Sequence, residues 1–269
     1  MKIGNREFED GHTYVMGILN ITPDSFSDGG RYRAMDAALF HVEEMITDGM
    51  DVLDIGGEST RPGYTLLPDE EEAERVIPAV ENIKSRFDIP ISVDTYKSSV
   101  ALAGIRAGAD MINDIWGLKH DKEIAGVIAK AGVSCCLMHN RKQAEYKNYM
   151  EEVLNDLRDS VKLAKQAGID EEKIVLDPGV GFGKTYEHNL TTINSLERFR
   201  ELGFPILLGA SRKSVIGLTL DLPVEERLEG TLVTTVFAAI AGVMFVRVHD
   251  VRENVRAVRM AEAIMREGK

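Results

Sequence analysis

Hydrophobic and polar positions alternate in blocks along the whole 269-residue chain. Short runs rich in Val, Ile and Leu recur, most ending abruptly in Asn, Asp, His or Gly. They are Tyr14–Asn20, Val52–Gly57, Ile91–Thr95, Met111–Trp116, Ser134–His139, Ile174–Gly179, Ile206–Ser211 and Met244–Asp250. Continuous apolar runs of this length suit parallel strands buried on both faces. Between most of them lie amphipathic stretches long enough for a helix, at Ala34–Asp48, Glu70–Phe87, Ser98–Ala107, Asp121–Ala131, Met150–Ala167 and Glu225–Ala241. Gly49, Gly108, Gly132, Gly168, Gly203 and Gly242 stand just before the next strand, as residues that close a helix often do. Alternating strand and helix implies right-handed βα units on a parallel sheet. Eight such units predict an α/β fold, a single (β/α)8 TIM barrel over residues 1–269, with a doubly wound sheet as the structural alternative. No Pro- or Ser-rich linker divides the chain.

In a barrel the strand ends converge on one mouth, where catalytic groups are placed. Asn20, Asp54, Asp94, Asn113, His139, Asp177, Lys213, Arg247 and His249 fall there. Solvent begins at the mouth, so each alone is explained by exposure; together they sort into chemical groups. Arg247 and His249 are spaced i, i+2 and share a strand face, leaving Val246 and Val248 for the outer helices. Such a pair makes a phosphate or diphosphate clamp. Asn20 can assist directly or by holding Mg²⁺ on the phosphates. The alternative is that Arg247 pairs with a strand carboxylate such as Asp177. Asp94, Asn113 and Asp177 form an acceptor-rich group that suits the donor edge of a guanidine-like heterocycle such as a pterin or guanine. Two carboxylates also suit the acid and base of a hydrolase. The longest polar loops, Thr22–Arg33 and Glu58–Asp69, follow the first two strands and are rich in Gly, Ser, Asp and Pro, which predicts mobile loops over the mouth.

Composition narrows the ligand. There are 32 Lys+Arg against 44 Asp+Glu, a formal net charge of −12, which argues against a general nucleic-acid or membrane-surface binder. An anionic ligand therefore needs a local cluster of positive groups. Cys135 and Cys136 are the 2 cysteines; neighbours on a strand point to opposite faces, so a disulfide between them is geometrically poor. That reads as a reduced, cytoplasmic protein. The first residues lack the apolar core of a signal peptide, and the longest apolar stretch, Leu232 to Val246, is too short to span a bilayer.

Two other chemistries fail on spacing. Asp177-Pro178-Gly179-Val180-Gly181-Phe182-Gly183-Lys184-Thr185 ends like a P-loop, but the first glycine of that motif falls on Pro178 and Lys184 replaces the last glycine of a dinucleotide fingerprint. A flexible Gly-rich loop remains, with Phe182 able to stack on a ligand ring. The 6 histidines are scattered, which is weak for a transition-metal cage.

At this point the strand-end segments resemble the dihydropteroate synthase family. Asn20-Ile21-Thr22-Pro23-Asp24-Ser25-Phe26-Ser27-Asp28-Gly29-Gly30 and Gly56-Gly57-Glu58-Ser59-Thr60-Arg61-Pro62-Gly63 look like its two signatures. Ser92-Val93-Asp94-Thr95, Ile112-Asn113-Asp114-Ile115, Met138-His139, Asp177-Pro178-Gly179, Gly209-Ala210-Ser211-Arg212-Lys213-Ser214 and Arg247-Val248-His249-Asp250-Val251 follow in the family's order. The resemblance implies a (β/α)8 barrel, usually a homodimer, that joins p-aminobenzoate to 6-hydroxymethyl-7,8-dihydropterin diphosphate. It implies that Asp94, Asn113, Asp177 and Lys213 hold the pterin, with Ile115 and Met138 lining its slot. Arg247, His249, Asn20 through Mg²⁺, and Thr60 are implied at the diphosphate. Thr60, Arg61, Pro62, Phe182, Lys213 and Ser214 are implied around p-aminobenzoate, where sulfonamides compete. Asp94, Lys213, Arg247, His249 and Asp177 are the implied catalytic set. The rivals are a pterin-binding methyltransferase barrel, which has no use for a diphosphate clamp or the Ser211–Ser214 segment, and a catalytically silent paralogue.

Overall fold

A computed structural model describes residues 1–21, 31–58 and 67–267, without the side chains of 31–34. The chain opens with a small antiparallel hairpin of β1 (Lys2–Ile3) and β2 (Arg6–Glu7). The alternating series follows: β3 (Tyr14–Asn20), α1 (Arg31–Thr47), β4 (Val52–Gly56), α2 (Asp69–Arg86), β5 (Ile91–Asp94), α3 (Ser98–Ala107) and β6 (Met111–Asp114). It continues with α4 (Ile124–Ala131), β7 (Ser134–Met138), α5 (Tyr149–Ala167), β8 (Ile174–Asp177), α6 (Tyr186–Asn194), α7 (Leu196–Phe199) and β9 (Leu207–Leu208). The last elements are α8 (Ser214–Leu220), α9 (Leu228–Ile240), β10 (Phe245–Val248) and α10 (Val251–Glu267).

Eight parallel strands pair in the order β8-β7-β6-β5-β4-β3-β10-β9. A parallel bridge from Leu176 to Ile206, and the Leu176 amide donating to the Pro205 carbonyl at 2.9 Å, link the two ends. The sheet is therefore a barrel rather than an open doubly wound sheet. β9 is shorter than its apolar run because the chain turns at Ala210, whose carbonyl takes the Lys213 amide. All six glycines expected to close helices have positive φ, from +67° at Gly132 to +114° at Gly108.

Alternation along each strand divides two cores. Val15, Leu53, Ile91, Val93, Ile112, Cys135, Leu176, Val246 and Val248 face outward and pack under the helices. Met16, Val52, Met111, Cys136, Val175, Leu207 and Phe245 face inward and fill the lower barrel. Ile3 and Phe8 close this floor from the hairpin, which the strand-and-helix pattern did not predict. The adjacent cysteines thus lie in different cores, both as free thiols. Two residues further along β4, β6, β8 and β10, the inward positions become polar (Asp54, Asn113, Asp177 and Arg247), and that change of layer makes the site.

Candidate functional site

Above the apolar floor, the C-terminal ends of the strands surround a cavity of about 570 Å3. Its wall includes Asn20 from β3, Asp94 from β5, Asn113 and Ile115 at β6, Met138 from β7, Asp177 from β8 and Arg247 and His249 at β10. Phe182 enters from the loop after β8, and Ser211, Lys213 and Ser214 from the segment after β9. The expected site residues that fall within the described chain therefore converge. Thr60, Arg61 and Pro62, with most of the two long loops, lie outside the described residues. His139 does not line the cavity: it is fully buried behind the wall, between Asp156 and Lys184.

Arg247 organises the polar layer. Its Nε donates to Asp54 Oδ2 at 2.6 Å and its Nη2 to Asp94 Oδ2 at 2.8 Å. The carboxylate pairing considered for Arg247 is present, with Asp54 and Asp94 in place of Asp177 as partners, and the residue still reaches the cavity wall. Two donors gather on Asp54, because Asn113 Nδ2 also donates to its Oδ2 at 3.3 Å. That bond leaves the amide oxygen of Asn113 as the acceptor available to a ligand. Asp54 is fully buried and lies under the cavity rather than on it. Sequence reasoning placed it at the mouth without a role, and only its fixed partners reveal one.

Asp94 Oδ1 is buried with no hydrogen-bond partner among the described residues. An unsatisfied buried acceptor is costly, so it marks where a ligand N–H belongs. Burial pushes the Asp94 carboxyl up to about 7, with Arg247 opposing and the Asp54 carboxylate adding to the rise. Burial likewise raises the Asp177 carboxyl, against the pull of Lys213. Asp177 Oδ1 accepts the Gly179 amide at 2.7 Å.

Lys213 stands where the two halves of the cavity meet. Its Nζ donates to the Val180 carbonyl and lies 4.6 Å from the centroid of the Phe182 ring. A Cβ on Gly209 would stand 3.5 Å from Asp177 Oδ2 and 3.8 Å from Lys213 Nζ, which places acid and amine on the same stretch of backbone. Burial lowers the Lys213 ammonium to about 8, with Asp177 pulling it back up. The turn that presents Lys213 is braced by Arg212, at φ +55°, whose Nε donates to Asp250 Oδ2 at 3.0 Å. Ser211 Oγ lies 3.0 Å from His249 Nδ1 and accepts the His249 amide at 3.2 Å. Arg75 and Arg227, which carry no motif signal, add cationic groups to the same wall. A chain of net charge −12 thus keeps a cationic rim where an anion is to be held.

A family model described as pterin binding enzyme matches residues 16–249. The dihydropteroate synthase of Clostridium beijerinckii is 60% identical over 268 residues, covering 99% of this chain and 100% of that protein. The chain belongs to the dihydropteroate synthase family. A dihydropteroate synthase structure from Clostridium difficile, determined in the presence of pteroic acid, superimposes with a TM-score of 0.93 at 50% identity, covering 97% of this chain and 100% of that one. The Xanthomonas albilineans dihydropteroate synthase in complex with 7,8-dihydropteroate gives 0.86 at 40% identity, with 94% of both chains covered. The motif segments at or just past the ends of β5, β6, β7, β8, β9 and β10 each contribute a residue to the cavity wall: Asp94, Asn113, Met138, Asp177, Lys213 and Arg247.

Proposed function

We propose that this protein forms 7,8-dihydropteroate from 6-hydroxymethyl-7,8-dihydropterin diphosphate and p-aminobenzoate, releasing diphosphate. The observation that carries this reading is one cavity joining an acceptor-rich inner end to a cationic rim. The inner end, Asp94, Asn113 and Asp177 between Ile115 and Met138, fits a planar heterocycle bearing N–H donors. Arg247, His249 and Asn20 flank the place its diphosphate would take, and Thr60 is assigned there from the signature. Phe182, Lys213 and Ser214 border the approach of the aryl amine, with Arg61 and Pro62.

The pterin methylene C–O bond breaks and diphosphate leaves with the electron pair. Charge developing on the leaving oxygens meets Arg247 and His249, preorganised in a partly dry site. The positive charge left on the methylene spreads into the pterin ring, beside Asp94 and Asp177. The arylamine nitrogen is neutral at pH 7 and attacks with its own lone pair, forming the C–N bond and then losing its proton. The substitution is SN1-like, with exclusion of water as its main requirement.

Mg²⁺ fits a diphosphate-borne role. No cluster of three or more His, Cys, Asp or Glu suited to a metal exists among the described residues. Asn20 offers one amide oxygen on the wall, 3.6 Å from where a Cβ on Gly56 would stand. Mg²⁺ binds through one or two protein oxygens plus substrate phosphates and keeps several waters, so a single such ligand suffices. When bound, it supplies neutralisation of the leaving group's charge.

Product formation from both substrates, with and without Mg²⁺, tests the reading. Mg²⁺-dependent dihydropteroate supports it; saturable pterin binding with no product points to a silent paralogue. Pterin affinity also carries a pH signature. The ionised Asp94 carboxylate is the stronger acceptor for a pterin N–H, and burial pushes its carboxyl up to about 7, so protonation weakens the bond to the ligand. Calorimetric Kd for 6-hydroxymethylpterin is expected to weaken about tenfold between pH 8 and pH 6. A flat profile would contradict Asp94 as the pterin acceptor.

The family resemblance also supports a cytoplasmic homodimer. No helix among the described residues is long and apolar enough to cross a membrane. Val233, Phe237 and Ile240 lie exposed on one face of α9, beside exposed Met260 and Ile264 of α10. The sequence of this late helix, Leu232–Ala241, is apolar enough either to pair with a second copy or to pack on its own barrel, and the exposure of these three side chains favours pairing. Phe237→Asp is expected to yield a monomer in sedimentation, where the parent sediments as a dimer.

A further inference from the structure

The loop from β8 to α6 forms one wall of the cavity, yet it has little side chain to be held by. Between Asp177 and Lys184 it carries Gly179, Gly181 and Gly183, at φ +71°, +87° and +54°. Ordering glycine-rich backbone is entropically expensive. Gly181 and Phe182 of this loop line the cavity, the Phe182 ring lies under Lys213 Nζ, and the Val180 carbonyl behind them takes that same Nζ. Their position is set from behind.

Lys184 Nζ donates to the Phe182 carbonyl at 3.1 Å and lies 2.8 Å from Nδ1 of His139. His139 Nε2 is 3.1 Å from Oδ2 of Asp156, on α5. Burial pushes the His139 imidazole down to about 4, so the ring is neutral. With its one proton on Nε2, given to the Asp156 carboxylate, the Nδ1 lone pair faces Lys184. Arg141 Nε holds the same carboxylate oxygen at 2.7 Å. The two loops touch through backbone: a Cβ would stand 1.9 Å from the His139 carbonyl oxygen at Gly179, and 2.4 Å from that of Arg141 at Gly183. Tyr146 Oη adds a bond to the Gly183 carbonyl at 2.7 Å.

Lys184, His139 and Asp156 do not line the cavity. An enclosed ammonium pays a desolvation cost that an apolar side chain of similar length avoids, so packing alone gives no reason for a lysine here. We infer that Lys184 is a positioning residue: through His139 and Asp156 it sets Phe182, and through the Val180 carbonyl Lys213, against the second substrate. The identity of that substrate, p-aminobenzoate, rests on the proposed reaction; the loop-setting role does not.

The test compares full-length wild type, Lys184→Met and His139→Gln by steady-state kinetics, thermal melting and hydrogen exchange over residues 178–186. For Lys184→Met, KM for p-aminobenzoate is expected to rise about tenfold, the effect of one lost positional bond of ordinary strength. KM for the dihydropterin diphosphate and the melting midpoint stay near the wild-type values, and exchange in the loop quickens. His139→Gln, which can still offer an acceptor to Lys184 and a donor to Asp156, is expected to recover most of the affinity. Equal loss for both substrates together with a lowered midpoint would overturn the inference, since that is what a merely structural lysine gives. Unchanged exchange in the loop would also overturn it. If wild type makes no dihydropteroate, the proposed reaction falls instead, and loop exchange still decides the role of Lys184.

Discussion

Arg247→Ala is expected to lower kcat/KM for the dihydropterin diphosphate by about 10²–10³, the usual cost of losing one preorganised electrostatic donor. The same change removes the cation that is bonded to both Asp54 and Asp94, two buried carboxylates. Breaking a buried pair by deleting one partner typically costs about 3–5 kcal/mol, so the variant is also expected to melt earlier. The two effects separate by pH. Burial already raises the Asp94 carboxyl to about 7, and Arg247 opposes that rise. Without Arg247 the folded-state carboxyl climbs further, while the unfolded chain keeps the ordinary value. The folded variant then binds a proton that the unfolded chain releases, so its stability is greatest in acid and declines as pH rises through the folded value. Thermal melts of the variant should therefore improve from pH 8 to pH 6, with kcat/KM still reduced. An Arg247→Ala protein within a few fold of wild-type kcat/KM would remove the diphosphate clamp from the mechanism. Melts that improve with rising pH would contradict the pairing with Asp94.

Lys213→Ala is expected to lower kcat/KM for p-aminobenzoate by about 10²-fold or more, because one side chain meets several needs. Its ammonium faces the Phe182 ring, ties down the Val180 carbonyl and supports the charge of Asp177. Removing it leaves the Asp177 carboxyl with burial less opposed, so that acid rises further and loses strength as a pterin acceptor near neutrality. Both substrates should therefore bind more weakly, in contrast to the single-substrate effect expected of Lys184→Met. Steady-state kinetics in each substrate read this directly. A Lys213→Ala enzyme impaired for only the pterin would move Lys213 out of the aryl-amine side of the cavity.

The barrel was legible because its two periodicities are local. Strand runs such as Tyr14–Asn20, and helices such as Ser98–Ala107, appear at their expected bounds because their apolar faces are complete within one element. Arg247 and His249 were assigned to one face by strand geometry alone, and Val246 and Val248 do pack outward. Elements whose stability comes from neighbours were missed. The β1–β2 hairpin is only two residues per strand, and it persists because Ile3 and Phe8 plug the barrel floor. Helices α6 and α8 escaped because they are short, whereas α10 carries its own apolar stripe of Val251, Val255, Val258 and Ala261 but follows the last strand, outside the stretches read between strands.

Sequence was enough for the strand-and-helix order, the family motifs and the set of polar residues at the strand ends, because these depend on spacing along one chain. Pairings across strands came only with the folded barrel. Asp54 and Arg247 are 193 residues apart and meet at 2.6 Å; no local pattern reports that Asp54, rather than Asp177, takes the guanidinium. His139 and Lys213 both looked like mouth residues, yet one is sealed behind the wall and the other lines it. Which side of a barrel wall a side chain occupies depends on how adjacent loops stack, and that is settled by long-range packing.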